Sequence, residues 1–277
     1  MPRTRCDVPS LCHREDASCG ACCGLYNRED LSPNAVRAEL RRTTELLAQT
    51  PLTEEAYRAA GAQRARELPV PLFPSVRICP MLGFLGPTER RVGCLAHPLV
   101  TGGEDLRSCG AYGPMTCQAF LCPSHRSLCE EEAALVAQAT GDYYLYGLVV
   151  TDADFLRAVL DALEALAGRR PAPPDLAHPR FRRALRAILS LKEELEPGSE
   201  GIFGAFRAAR AAGALREEEA RASSEAGRVL QALGGDLRSG NDVEMLEIEI
   251  GRRIDEAAAA LREGMLRRSA PPPERSA

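Results

Sequence analysis

Apolar positions fall into two regimes along the chain. From Glu130 onward they recur every three or four residues, the period of a helix that buries one face. Glu130-Glu131-Glu132 places acid in a first turn, where it suits the positive end of the helix dipole. Thr151 or Asp152 caps a second helix carrying Phe155, Leu156, Val159, Leu160, Leu163 and Leu166, ended by Gly168. Pro171 to Pro174 reads as a stiff linker. Pro179 opens a third helix with Phe181, Leu185, Ile188, Leu189 and Leu195, stopped at Pro197-Gly198. A fourth is expected from Ile202 to Arg221, and a shorter one carries Val229, Leu230 and Leu233 up to Gly234-Gly235. In the last helix Asp242 is the expected cap, and Leu246, Ile250, Ile254, Ala257, Leu261 and Met265 form the stripe. Its glutamates sit early and its arginines late, matching the dipole, and the stripe reads as an internal bundle face. From Ser269 the chain is Pro-rich and expected to be disordered.

Before Glu130 the rhythm is mostly absent. Ser32 as N-cap and Pro33 at the first helical position open one early helix, with Val36, Leu40, Leu46 and Leu47 on its apolar side and Pro51 beyond its end. A second starts at Thr53 and runs to about Glu67. Three prolines in Leu68 to Pro74 then force an extended connection. Between Cys79 and Cys129, glycine and proline recur too often for long elements. Val76-Arg77-Ile78 and Arg91 to Leu95 are the candidate short strands, around a hairpin at Gly86 to Glu89. The expected architecture is mainly α. An irregular cysteine-rich N-terminal domain with short strands (1–129) precedes a helical C-terminal region (130–268) and a tail (269–277).

Charge and composition narrow the partners. A net charge of −4 and a pI near 5.7 argue against a nucleic-acid partner. The longest apolar run, Tyr143 to Val150, is too short to span a bilayer, and the polar start Met1-Pro2-Arg3-Thr4 lacks the apolar stretch of a secretory signal. A cytoplasmic protein without a membrane partner is expected.

Cysteine changes the picture most. All 11 lie at or before Cys129. In a reducing compartment such a concentration favours metal binding over disulfides. Cys19-Gly20-Ala21-Cys22-Cys23-Gly24 puts three soft donors into five residues, and Cys19 and Cys22 have the C-x2-C spacing of a metal knuckle. Cys22 and Cys23 are neighbours, so in regular backbone their side chains diverge; both can ligate only in irregular backbone or to different metals. Cys79 and Cys122 each precede a proline, as in some cluster-binding loops. Cys94-Leu95-Ala96-His97 and Cys122-Pro123-Ser124-His125 share a Cys-x2-His spacing, but the thiols already exceed the four that zinc needs. Cys6 and Cys12 sit in a loosely spaced arm that could extend the metal site, with their roles left open.

Ser18-Cys19-Gly20-Ala21-Cys22-Cys23, Cys79-Pro80-Met81-Leu82, Gly93-Cys94 and Tyr112-Gly113-Pro114-Met115-Thr116-Cys117-Gln118-Ala119-Phe120 together resemble the YkgJ-type cysteine-cluster family, a zinc- or iron-chelating domain. The resemblance covers about residues 18–125. It implies Cys19, Cys22, Cys23, Cys79, Cys94 and Cys117 as ligands. The Cys94 to Cys117 interval is long for the family, Cys109 competes with Cys94 for one place, and Gly113 stands where an arginine is usual. With Cys122, the candidate ligands are thus Cys19, Cys22, Cys23, Cys79, Cys94, Cys109, Cys117 and Cys122, and the expected cofactor is zinc or an iron–sulfur cluster. Flagellin lysine methylases share the motif and are similar to iron–sulfur proteins, which implies an enzyme as one alternative. The absence of a Gly-x-Gly-x-x-Gly and of a P-loop leans against it. A thiol-redox protein is the other alternative. The leading expectation is a metal-binding cysteine-cluster protein whose helical half serves interaction with a protein partner, or regulation.

Overall fold

A computed structural model describes residues 11–14, 17–74, 76–194, 224–233 and 240–269. It is mainly α with one small antiparallel sheet. The early helices form where their caps predict. In α1 (Pro33–Ala48) the Ser32 hydroxyl accepts the Ala35 N–H at 3.3 Å, and in α2 (Glu54–Glu67) the Thr53 hydroxyl accepts that of Ala56 at 3.3 Å. Buried Arg64 of α2 ties the pair together, donating to Glu39 at 2.9 Å and to Thr43 at 3.1 Å on α1.

The sheet is a hairpin of β1 (Leu82–Phe84) and β2 (Val92–Cys94), with Leu82 opposite Cys94 and Phe84 opposite Val92. The expected second strand therefore stands, but the first lies downstream of Val76-Arg77-Ile78. The backbone groups of that tripeptide are engaged elsewhere. Val76 N–H closes a turn onto Phe73, Val76 C=O accepts from the Asn27 side chain, and Arg77 N–H donates to the Tyr112 hydroxyl at 2.6 Å. The Val76 and Arg77 groups that a ladder would use are thus taken.

Short helices α3 (Pro98–Thr101), α4 (Pro114–Ala119) and α5 (Ser124–Ser127) follow within the irregular stretch. Then come α6 (Glu130–Thr140), α7 (Tyr143–Val150) and α8 (Ala153–Ala167), the last capped by Asp152 and closed by Gly168. A 3-10 turn at Pro173–Ala177 occupies much of the expected linker. The helix expected from Pro179 onward breaks at Ser190 into α9 (Pro179–Leu189) and α10 (Leu191–Glu194). The break lets Lys192 turn inward to Asp152 at 2.7 Å, where both Leu191 and Lys192 are buried. The bundle is completed by α11 (Glu225–Leu233) and α12 (Gly240–Ser269). The last begins two residues before Asp242, which lies in its first turn rather than capping it. It packs on α8, α9 and α11. The expected 202–221 helix and the tail from 270 lie outside the described residues. Among the described residues, no helix is long and apolar enough to cross a membrane.

The apolar run Tyr143 to Val150 is α7, and each of its residues is buried. A helix that is apolar all round needs cover on every side. Tyr143, Tyr144 and Leu148 pack with Leu25, Tyr26, Val36, Leu40 and Phe84 of the cysteine-rich part, while Leu145, Val149 and Val150 belong to the core of the helical part. Apolar packing thus crosses residue 130. Gly147 allows the closest approach: a Cβ there would stand 2.1 Å from the Tyr26 hydroxyl oxygen, which donates to the Tyr144 carbonyl at 2.9 Å. Gly147→Ala should overpack this contact and cost about 1–3 kcal/mol. A lowered thermal unfolding midpoint by circular dichroism is the expected result; an unchanged midpoint would show that Tyr26 does not seat against α7.

Candidate functional site

The site is built on the segment 17–27, and its shape follows from a tight turn. Ala21–Cys23 forms a 3-10 turn closed by Cys23 N–H to Gly20 C=O (3.0 Å) and Gly24 N–H to Ala21 C=O (2.9 Å). With about three residues per turn, side chains three apart share a side and adjacent ones diverge. Cys22 and Cys23 therefore diverge: Cys22 packs against the core of the helical part and Cys23 against the cluster containing Leu25, while Cys19, ahead of the turn, touches both. Gly24 leaves the turn at φ +85°, and a Cβ there would meet the Arg77 carbonyl oxygen at 2.5 Å, so glycine serves both the conformation and the close approach.

Each flank of the turn is held by a different part of the chain. Cys19 N–H donates to the Cys12 carbonyl at 3.2 Å, and Cys79 N–H to that of Cys23 at 2.9 Å. Buried Ser18 accepts the Val92 N–H of β2 at 2.6 Å. Asn27, fully buried, accepts the Phe73 N–H at 2.9 Å and donates to the Phe73 and Val76 carbonyls.

This frame sorts the thiols into two neighbourhoods. On one side, Cys22 and Cys122 share a thiol hydrogen bond. Cys19 and Cys12 stand beside them, close enough for their charges to act on one another. The Cys22 thiol is raised by that hydrogen bond first, then by burial and the neighbouring thiols. Burial followed by the Cys12 charge raises Cys19, against the Ala21 N–H that donates to its Sγ at 3.4 Å. Cys122 is held below the ordinary thiol value. The Cys22 thiol hydrogen bond is the main cause, followed, against the opposing effect of burial, by the N–H groups of His125 and Ser124 at the start of α5.

On the other side lie Cys23, Cys79, Cys94 and Cys117. Burial raises Cys23 most, followed by the charges of Cys79 and Cys94, with Cys12 and Cys117 adding to them. Cys94, the last residue of β2, is pushed up to about 12 by burial and then by Cys79. Cys79 is raised by burial against N–H donors from Ala111 and Met81. Cys117 sits exposed on α4, with Arg107 lowering its pKa against a larger burial effect. Cys19, Cys22, Cys23, Cys79, Cys94, Cys117 and Cys122 are free thiols.

The remaining candidates go elsewhere. The Cys109 thiol donates to the Glu54 carbonyl of α2 at 3.5 Å, whereas Cys94 stands beside Cys23 and Cys79. Cys129 is the N-cap residue of α6, its N–H donating to Glu132 at 3.0 Å. His97 Nδ1 accepts the Leu99 N–H at 3.2 Å and so caps α3. Its ring centroid is 6.4 Å from that of His13. Cys6 lies outside the described residues. Cys12 was not among the residues chosen from the sequence. What brings it in is the pairing of its strand-like surroundings, a bridge between His13 and Ser18, and no spacing motif announces that. Arg107 beside Cys94 and Cys117, and Tyr112 beside Cys23 and Cys79, were likewise not singled out as site neighbours.

Among the described residues, no group of three or more His, Cys, Asp or Glu side chains is placed so that it could hold a metal ion. In each neighbourhood the ionisation of the thiols is opposed by desolvation and by one another, except at Cys122. No family model, curated protein or solved structure matches the chain.

Asn27 supports the frame without supplying a donor to the thiols. Asn27→Ala should remove the side-chain partners of the Phe73 N–H and the Val76 carbonyl, while the Phe73 carbonyl keeps the Val76 N–H, at about 1–3 kcal/mol for each group left buried and unsatisfied. Limited proteolysis is expected to cut first within residues 68–79; a cleavage pattern matching the wild type would show that the side chain is not what holds that connection.

Proposed function

We propose that this chain is a metal-binding cysteine-cluster protein, taking zinc or an iron–sulfur cluster on thiolates of the Cys19 box and of the Cys79 to Cys122 stretch. The helical half is the scaffold on which that stretch is pinned, and an interaction or regulatory region. The observation that carries the reading is the meeting of Cys22 with Cys122, a hundred residues along, in a place where neighbouring thiols repel once ionised. The resemblance to YkgJ-type chelating domains supports the same chemistry. Four-thiolate sites serve zinc and iron–sulfur clusters alike, so the ligand set leaves both metals in play.

The same Cys22–Cys122 contact favours a second reading, a redox pair. There the two thiols would lose two protons and two electrons to a disulfide oxidant and join as a disulfide. Elemental analysis and the absorption spectrum of anaerobically purified protein separate the two. Iron with sulfide and a broad band near 400 nm is expected for a cluster, and stoichiometric zinc without colour for a zinc site. Metal-free protein with a mass-mapped Cys22–Cys122 disulfide would instead establish the redox pair.

Replacing Cys22 or Cys23 by Ser should strip metal and loosen residues 76–129 to protease. A variant that keeps full metal content and protease resistance would remove that residue from the ligand set.

A further inference from the structure

Four basic side chains are buried among the described residues: Arg28, Arg64, Arg107 and Lys192. Three of them meet a carboxylate. Arg64 pairs with Glu39 at 2.9 Å, Arg107 with Asp105 at 2.7 Å and Lys192 with Asp152 at 2.7 Å. Arg28, only 4% exposed, has neither an ion pair nor a hydrogen bond among the described residues, and its Nε is buried without a partner. We propose that Arg28 is an anion-binding residue that takes a small free monocarboxylate. This inference is independent of the metal-binding reading.

The surroundings of Arg28 give the reason. It follows the buried Asn27 and lies within electrostatic reach of Glu39 on α1, Arg64 on α2, Asp30, and Tyr143 at the start of α7. Both acids are committed elsewhere. One Glu39 oxygen accepts from Arg64 and the other from Arg42. Asp30 is exposed, and its Oδ1 accepts the Ser32 N–H at 2.9 Å at the entry to α1. Arg64 adds a second buried positive charge. A buried charge without a partner is costly, and an anion that joins it offsets that cost. Burial accordingly lowers the pKa of Arg28, with Glu39 the first influence opposing it.

The ligand class follows from shape, charge and access. Guanidinium N–H groups lie in one plane and match the two oxygens of a carboxylate. One uncompensated positive charge is balanced by one negative charge, whereas a phosphate dianion would bring an excess towards Glu39 and Asp30. So little of Arg28 is exposed that only a slim molecule reaches it, which favours a free acid over a carboxylate carried on a folded partner.

Thermal unfolding of the full chain at pH 7, followed by circular dichroism, tests this with acetate as the probe against sodium chloride at equal ionic strength. The wild-type midpoint should rise saturably with acetate, as it does for a ligand bound by the folded state alone, and stay level with chloride. Arg28→Met should lower acetate affinity about 10- to 100-fold, the range for loss of a charged hydrogen bond. Arg28→Lys keeps a charge and most of the stem but loses the paired N–H edge, so its rise should be weaker than that of the wild type. Where Arg28→Met does not fold, Arg28→Lys carries the comparison. A wild-type midpoint that follows acetate no more than chloride, or a rise with acetate equal in the wild type and Arg28→Lys, would overturn the proposal. A larger response to phosphate than to acetate would overturn the carboxylate assignment.

Discussion

The interaction on which the rest depends is the anchoring of three separate stretches of polypeptide on the segment 17–27, two of them through its main chain at Cys19 and Cys23 and the hairpin through the Ser18 hydroxyl. The segment 17–27 accepts or donates backbone-directed hydrogen bonds to the N-terminal arm, to the 73–79 connection and to the hairpin. Those stretches have little ladder of their own, and a buried polar backbone group without a partner is costly. Their partners are concentrated at the box, so its geometry sets where the proline-rich connection ends and where β2 lies. Tyr26 adds the fourth attachment, to α7. The box therefore sits where three apolar clusters meet rather than at the edge of one.

Burial of thiols near this hub has an electrostatic consequence. Desolvation and mutual repulsion keep Cys19, Cys23 and Cys94 protonated in the absence of a cation, because their ionised forms are penalised twice. Tyr146, which donates to the Leu11 carbonyl at 3.0 Å, is raised first by burial and then by Cys19, with Arg14 opposing them. Arg107 stands near Cys94 and Cys117 but is also paired with Asp105 at 2.7 Å. The arrangement is costly as a set of thiolates and stable as a set of thiols.

Much of this was legible along the chain where local chemistry decides local structure. Ser32-Pro33, Thr53, Asp152 and Gly168 mark helix ends because capping is satisfied within a few residues. The hairpin connection and β2 were visible for similar reasons. What escaped depends on partners distant in sequence. Val76-Arg77-Ile78 has strand-forming composition, yet its polar groups are taken by Asn27 and Tyr112. Cys12 joins the thiols through a backbone bond that no spacing encodes. The break at Ser190 follows from a buried Lys192–Asp152 contact, whereas the apolar stripe alone runs straight through it. Of the candidate site, the concentration of thiols in the segment 18–23 could be read directly; whether Cys22 and Cys23 diverge could not, since that depends on the 3-10 turn adopted there. The choice between Cys94 and Cys109 could not, since it turns on which thiol α2 engages.

The burial of α7 has a consequence for biosynthesis. A nascent chain appears N-terminus first, so Cys19 to Cys23 and the surfaces of Leu25 and Tyr26 leave the ribosome well before Tyr143 to Val150. Until that helix emerges, one wall of the box is missing and its sulfur atoms face the solvent. Order at the front of the molecule is thus deferred by translation to a point past its middle, leaving an interval in which a chaperone or a thiol-directed reagent meets an unfinished pocket.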